Sequence, residues 1–321
     1  MKHGWRKTAA IGAALALGLV ACGGTDGTTD GPSDGQASEP TASDSPAAVP
    51  DGPTIVVGSF NFGESQILGN IYAIALQEAG YPVETKLDLG SREVILPELE
   101  SGSLSFLPEY AGSALTIGFG GEATGDLDET IGLLEEEFAG IGVTVLEPAP
   151  GQDANAFAVT AEFAQEHGLT TVADLANVDG TVRFAGPPEC ETRTTCLLAL
   201  TDTYGLDNIE FEAIQEGGVR VSSLSNGDVD MALLFTTQPV IAQEGFVVLE
   251  DTEGAIPVEN IVPVVTDAVV DAYGDDFVSL IDSISALITT DVLIELNGKV
   301  EIDAEDAEDV ARQWLTDQGI I

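Results

Sequence analysis

From Thr54 to the C-terminus, short β-rich runs alternate with stretches of helical periodicity, and that alternation restricts the chain to folds that layer helices on a sheet. Residues 54–58 form one such run. Ile67, Leu68, Ile71, Ile74 and Ala75 then recur at helical spacing up to Gly80, a C-terminal stop. Val83, Thr85, Leu87 and Leu89 alternate with polar residues, as a half-buried strand requires. Asp126 with Glu129 reads as a capping box opening a helix to Gly140, and 143–146 follows as a strand. His167 before Gly168 closes a short helix. Phe277, Leu280, Ile281, Ile284, Leu287 and Ile288 mark one face of a long amphipathic helix, and 307–318 reads as a terminal one. There is also an internal echo: Leu99-Glu100-Ser101-Gly102-Ser103-Leu104-Ser105 is similar to Leu224-Ser225-Asn226-Gly227-Asp228-Val229-Asp230. In each, a helix ends at glycine and a strand begins, carrying Phe106 or Phe235. Two similar lobes with a cleft between them would produce such an echo.

The N-terminus has a different character. Lys2, Arg6 and Lys7 precede an apolar stretch over 9–20, which at 12 residues is short of the ~20 that cross a bilayer as a helix. A signal-peptide core is the better reading. It ends in Leu19-Val20-Ala21-Cys22-Gly23-Gly24, which resembles a bacterial lipobox. The resemblance implies a signal peptide over 1–21 and lipid attachment at Cys22; the alternative is an ordinary secretory cleavage beside a cysteine. Residues 23–53 hold only Gly, Thr, Asp, Pro, Ser, Ala, Glu, one Gln and one Val. That composition cannot bury enough surface to offset ordering entropy, so 22–53 is expected to be a disordered, lipid-anchored linker before a folded body over 54–321. The expected location is extracytoplasmic, at a membrane.

Asp and Glu number 55 against 10 Lys and Arg, a formal charge of −45, and three of those basic residues precede Cys22. Such a charge excludes binding of nucleic-acid phosphates or anionic lipid by electrostatic attraction. It fits a heavily solvated acidic surface; the alternative is long-range attraction of cationic solutes. Beyond Cys22 the cysteines are Cys190 and Cys196. Outside the cytoplasm a pair this close is expected to form a disulfide, with two free thiols or half of a metal site as alternatives. His167, the one histidine after Cys22, lies far from any paired ligand, which argues against zinc. The nucleophile-elbow, zinc-protease and phosphate-loop motifs are missing from the sequence. Gly118-Phe119-Gly120 starts like a dinucleotide loop but fails in its later spacing, and a surface loop is the better reading. Carboxylate pairs arise by chance among so many acids. The expectation is therefore a protein that is not an enzyme and uses neither cofactor nor metal.

Several segments together resemble one family. They are Gly58-Ser59-Phe60-Asn61-Phe62-Gly63-Glu64, Leu89-Gly90-Ser91, Pro108-Glu109-Tyr110-Ala111-Gly112-Ser113, Asn155-Ala156-Phe157-Ala158, Glu189-x-x-x-Arg193 and Phe235-Thr236-Thr237. The family is the substrate-binding proteins of osmoprotectant ABC transporters, which take glycine betaine, choline, carnitine and related quaternary amines. The resemblance covers essentially all of 54–321. It implies an α/β, two-lobed periplasmic-binding-protein-like fold of type II, with the ligand cleft between lobes joined by two crossing strands. Lobe 1 would be 54–153 plus 258–321, and lobe 2 would be 154–257. The implied partners are a small quaternary amine, an ABC permease and the membrane through the lipid; the alternatives are the same fold used for another small molecule or as a sensor, and a structural surface lipoprotein.

The chemistry of such a site follows from its ligand. A quaternary ammonium has no N–H donor, so a protein must surround its methyls with aromatic faces, each contributing ~0.5–1 kcal/mol, or ~2 when desolvated. A carboxylate at the other end suits an arginine fork. The resemblance implies Tyr110, Phe157 and Phe235 as cage positions, Ser113 and Arg193 for a carboxylate, and Phe60, Asn61, Asn155 and Thr236 as further ligand-binding positions. Arg193, one of six arginines, lies between Cys190 and Cys196; the alternative for it is a surface pair with Glu189 or Glu191. For Phe157 and Phe235, plain core packing is the alternative. Phe60 stands where many members have lysine, Leu107 where many have tyrosine, and Val264 and Val265 lie where a further aromatic is common. These departures imply a drier, less polar cage, and a less anionic amine such as choline.

Overall fold

Two five-stranded sheets organise residues 51–321, the part of the chain that this computed structural model describes. The expected signal peptide, Cys22 and nearly all of the expected linker lie outside the described residues. The strands in chain order are β1 (Ile55–Gly58), β2 (Val83–Lys86), β3 (Phe106–Tyr110), β4 (Val143–Val145), β5 (Asn155–Val159), β6 (Val182–Gly186), β7 (Ile209–Ala213), β8 (Met231–Phe235), β9 (Val247–Val248) and β10 (Ile261–Thr266). The first sheet has the order β2-β1-β3-β10-β4, the second β7-β6-β8-β5-β9. In each, three strands run parallel and the fourth and fifth join antiparallel. The two sheets are thus the same pattern used twice.

The sequence echo is the visible trace of that duplication. Helix Arg92–Glu100 leads through Gly102 into β3, and helix Gly217–Ser225 through Gly227 into β8. Both glycines are left-handed, at φ 72° and 74°, a conformation open to them because they have no Cβ. The reversal aims β3 and β8, and hence Tyr110 and Phe235, at the space between the sheets.

Period-two alternation builds the second core. Phe157, Val159, Val182, Phe184, Met231 and Leu233 pack on one face of the second sheet, while Ala156, Ala158, Ala185, Ala232 and Leu234 face the other. In the first sheet β3 and β10 are buried along their whole lengths, in register from Ile261 opposite Tyr110 to Val265 opposite Phe106. The segments connecting the two lobes run antiparallel, paired at Gln152 and Asn260, with Asp153 N donating to Glu259 O at 3.0 Å.

Several local expectations change. β2 is an edge strand that ends at Lys86, and Glu84, Thr85 and Lys86 are exposed; Asp88 then takes a left-handed φ of 59°. Asp126 caps helix Leu127–Ala139 by accepting from Glu129 N at 3.0 Å, but the Glu129 side chain accepts from Thr124 instead of closing a box. The helical run Asp267–Ser285 is broken at Gly274, whose φ of 67° and ψ of −156° no helix accommodates. Gly118 and Phe119 belong to a short helical turn, with the Phe119 ring edge-on to Phe138 at 4.9 Å, not to an open loop.

Candidate ligand-binding cleft

The turn after β1 is held by its serines. Ser59 Oγ accepts from Asp88 N at 2.9 Å, and Ser65 Oγ accepts from Phe60 N at 2.9 Å. Those bonds fix the rings of Phe60 and Phe62 parallel, 5.8 Å apart and 3° from coplanar. Tyr110, at the end of β3, lies 6.3 Å from Phe60 and 5.9 Å from Phe62. Phe235, at the end of β8 in the other lobe, stacks on Phe62 at 6.1 Å. Four rings, three from one lobe and one from the other, therefore line a cleft of about 650 Å³ between the sheets. Phe62 is the ring that touches all three others.

Under the rings lies a buried carboxyl pair. Glu64, 4% exposed, accepts from Tyr110 Oη at 2.8 Å, Thr237 Oγ1 at 2.6 Å and Asn297 Nδ2 at 2.7 Å. Asp153 Oδ1 accepts from Thr237 N at 3.1 Å, so Thr237 holds both carboxyls, one through its N–H and the other through its hydroxyl. Burial raises the proton affinity of Asp153, and the neighbouring Glu64 charge raises it further. At Glu64 burial acts in the same direction, but hydroxyl and amide donors offset it. Both carboxyls of the pair are therefore shifted toward the protonated form. This pair ties both lobes together at the crossing segments.

A second layer of charge surrounds the first ring. Arg92 forks onto Glu109 through two bonds of 2.9 and 2.7 Å, and its guanidinium lies 5.0 Å from the centre of the Phe60 ring. Glu259, 3% exposed, accepts from Ser113 N at 3.0 Å and from Ser113 Oγ at 2.5 Å. Burial pushes its carboxyl up to about 7 against those donors and the charge of Arg92. Gly112 makes this contact geometrically feasible: its N donates to Val258 O at 2.9 Å, and a Cβ there would stand 2.5 Å from both that oxygen and Pro257 Cγ.

Of the residues singled out from the sequence, Phe60, Asn61, Tyr110, Ser113, Asn155, Arg193 and Phe235 all line this cleft. Asn155 Nδ2 donates to Thr195 O at 2.8 Å. Cys190 and Cys196 are joined and buried, and Arg193 sits in the loop they close. Its Nη2 reaches neither Glu189 nor Glu191. It reaches Glu93 of the opposite lobe, at 3.1 and 3.2 Å, and so bridges the cleft. Glu93 is exposed, and although some loss of water favours its proton, hydrogen bonding and the Arg193 charge hold its carboxyl at about 2.

Two of the residues lie elsewhere. Phe157 is buried in the second core against Phe184, at 5.7 Å, because it sits two residues deeper along β5 than Asn155. Thr236 Oγ1 accepts from Ala154 N at 2.9 Å, and it is Thr237 that faces the cleft. Leu107, Val264 and Val265 are fully buried in the first core and contribute nothing to the cleft. Phe62, Glu64, Asp153 and Glu259 were not singled out. Phe62 and Glu64 could have been, since both belong to the turn motif that carries the resemblance. Among the described residues, no group of three His, Cys, Asp or Glu could hold a metal ion.

With this geometry in place, the comparison with known proteins is direct. The family described as the substrate binding domain of ABC-type glycine betaine transport system matches residues 53–317. The chain belongs to this family. The glycine betaine-binding protein YehZ of Escherichia coli K12 is 26% identical over 280 residues, covering 83% of this chain and 90% of that protein. A glycine-betaine-binding protein of Pseudomonas aeruginosa is 27% identical over 285 residues, covering 86% and 91%. Among solved structures, that of a glycine betaine/carnitine/choline ABC transporter protein superposes with a TM-score of 0.69 at 20% identity, covering 83% of this chain and 99% of that one. The architecture is thus the two-lobed type II fold of periplasmic binding proteins, and in this family member the interlobe space holds the four rings.

Proposed function

We propose that this chain is the solute receptor of an ABC transporter and captures a quaternary ammonium compound between its lobes. The observation that carries the reading is the set of four rings, Phe60, Phe62, Tyr110 and Phe235, drawn from both lobes over a buried carboxylate. A methylated ammonium is too weakly hydrated to need hydrogen bonds and too charged for a purely apolar pocket. Aromatic faces with a carboxylate behind them meet both requirements. Because Phe235 comes from the lobe opposite the other three rings, ligand stabilises the closed arrangement over the open one, which is the differential affinity a closing receptor needs. Asn61, Asn155, Ser113 and Arg193 would contact the remainder of the solute. The closed form would then be what the permease recognises.

The lobes divide at the crossing segments, 54–153 plus 258–321 against 154–257. The resemblance of Leu19–Cys22 to a lipobox supports export, acylation of Cys22 and a location outside the cytoplasm at the membrane.

A thermal-shift panel of glycine betaine, choline, carnitine, proline betaine and common amino acids tests the reading. A ligand at ~100 times its Kd adds about 2.7 kcal/mol to the folded state, and so raises Tm by roughly 5–10 °C. A shift confined to quaternary amines supports the assignment. A shift with amino acids and none with quaternary amines would transfer the fold to another substrate class.

A further inference from the structure

We infer that Glu259 is the counter-charge of the bound solute, and that the cleft therefore selects a quaternary ammonium of net positive charge, an amino alcohol such as choline, over a zwitterionic betaine. The inference rests on the reading of the cleft given above.

Charge pairing among the groups that line the cleft sets this preference. Three arginines line the cleft. Arg92 is forked onto Glu109 and Arg193 is bonded to Glu93. Arg220 spends its Nε and Nη1 on the carbonyls of Leu233, Ile214 and Gln215, and its charge is answered by Glu189 and Glu216. A ligand carboxylate arriving at Arg193 could still bond Nε, which is buried without a partner among the described residues. It would, however, meet a charge that Glu93 already balances.

The carboxylates are not balanced in the same way. Glu259 is held by the neutral N–H and hydroxyl of Ser113, and the nearby Arg92 is committed to Glu109. Glu64 is held by a phenol, a hydroxyl and an amide. With Glu189 and Glu216 answering Arg220, Glu301 adds a further carboxylate to the same space. A second carboxylate placed here adds repulsion, whereas a cation relieves it. Glu259 is also well placed. It precedes β10 at the point where Asn260 O accepts from Ala111 N, directly beside the Tyr110–Ser113 turn, so its carboxylate borders the ring cluster. A carboxylate can accept the hydroxyl of an amino alcohol; against the carboxylate of a betaine it has no proton to offer once ionised.

Glycine betaine and choline share one head group and differ only in carboxylate against hydroxymethyl, so they isolate the charge. The purified protein is titrated calorimetrically with each, as wild type and as Glu259→Gln. Wild type is expected to prefer choline by about tenfold or more, and E259Q to lose most of that preference. Should E259Q fold poorly, wild type alone still decides: near pH 7, choline binding measured in buffers of different ionisation enthalpy releases protons and betaine binding does not. A wild-type preference for betaine, or an E259Q effect equal on both ligands, overturns the inference while leaving the quaternary-amine reading intact. Failure of every quaternary amine to bind overturns both.

Discussion

Gly112→Ala tests how the cleft is assembled, because its effect can be worked out from contacts alone. The added Cβ would sit 2.5 Å from Pro257 Cγ and 2.5 Å from Val258 O, well inside contact distance and against a proline ring and a backbone oxygen that cannot rotate away. Relieving that overlap means separating 111–113 from 257–259, which also breaks the 2.9 Å bond from Gly112 N to Val258 O. Overpacking costs about 1–3 kcal/mol and a lost backbone bond about 1 more, for a total of roughly 2–4 kcal/mol. The corresponding fall in Tm is roughly 5–15 °C. The same displacement pulls Ser113 off Glu259, so ligand affinity falls as well. Gly132→Ala is the matched control. Gly132 lies exposed inside helix Leu127–Ala139, where a Cβ meets nothing within 4 Å, so the substitution should stabilise by about 0.5–1 kcal/mol. Differential scanning calorimetry of the two variants should give shifts of opposite sign. Equal shifts, or an unchanged Tm for G112A, would mean that the close approach of 112 to 257–258 does not exist in solution.

Three further outcomes are expected. Glu259, with Arg92 and Glu109 as the charged groups around it, has a folded-state value of about 7 against an ordinary 4.5. Its contribution is therefore fully present below pH 4.5 and lost as pH rises through 7, by about 3 kcal/mol. E259Q mimics the protonated acid, so urea melts should show its stability relative to wild type rising by about that amount from pH 4.5 to 8; a constant difference would refute the assignment. Asp153→Asn should be nearly neutral at pH 7, because burial and the Glu64 charge favour the protonated form of Asp153, which a neutral amide replaces while still accepting from Thr237 N, whereas Asp153→Ala leaves Thr237 N without its acceptor and should cost about 1–3 kcal/mol. If the two variants melt alike, the proton is elsewhere. Phe62→Ala removes the ring that takes part in three of the four aromatic contacts and should weaken ligand binding by about tenfold or more, with little change in far-ultraviolet circular dichroism. Unchanged affinity would place the ligand away from these rings.

Much of the architecture was legible because it rests on local rules. Periodicity and β-rich runs marked β1, β2, β4 and several helices, and the repeated helix-glycine-strand junction announced β3, β8 and two lobes of one design, whereas β5, β6, β7 and β10 were not marked. The misreadings have physical causes. Phe157 lies on the same strand face as Asn155 and Val159, so alternation assigns its face correctly, yet alternation says nothing about depth. Two residues, about 6.6 Å of strand, separate cleft from core. A one-residue offset after β8 likewise separates Thr236, which closes a backbone bond, from Thr237, which reaches Glu64. Gly274 lies in an otherwise continuous helical pattern, and one tolerated glycine carries no sign of a kink. Asp153 and Glu259 were hidden by abundance. In a chain with 55 acidic residues, a buried carboxylate looks like a solvated one until tertiary structure removes the water. Arg193 could be singled out as rare and confined, but not its partner, since Glu93 lies 100 residues away across the cleft.

The central claim is that four rings hold the methylated head of a quaternary amine. Ligand-observed saturation-transfer NMR tests this most directly, by irradiating aromatic protein resonances and reading which ligand protons receive the saturation. The N-methyl protons of choline or a betaine are expected to receive the largest share, a second quaternary amine to compete the signal away, and Phe62→Ala to abolish it. Transfer directed chiefly to the other end of the ligand, or an undiminished signal in Phe62→Ala, would contradict this claim.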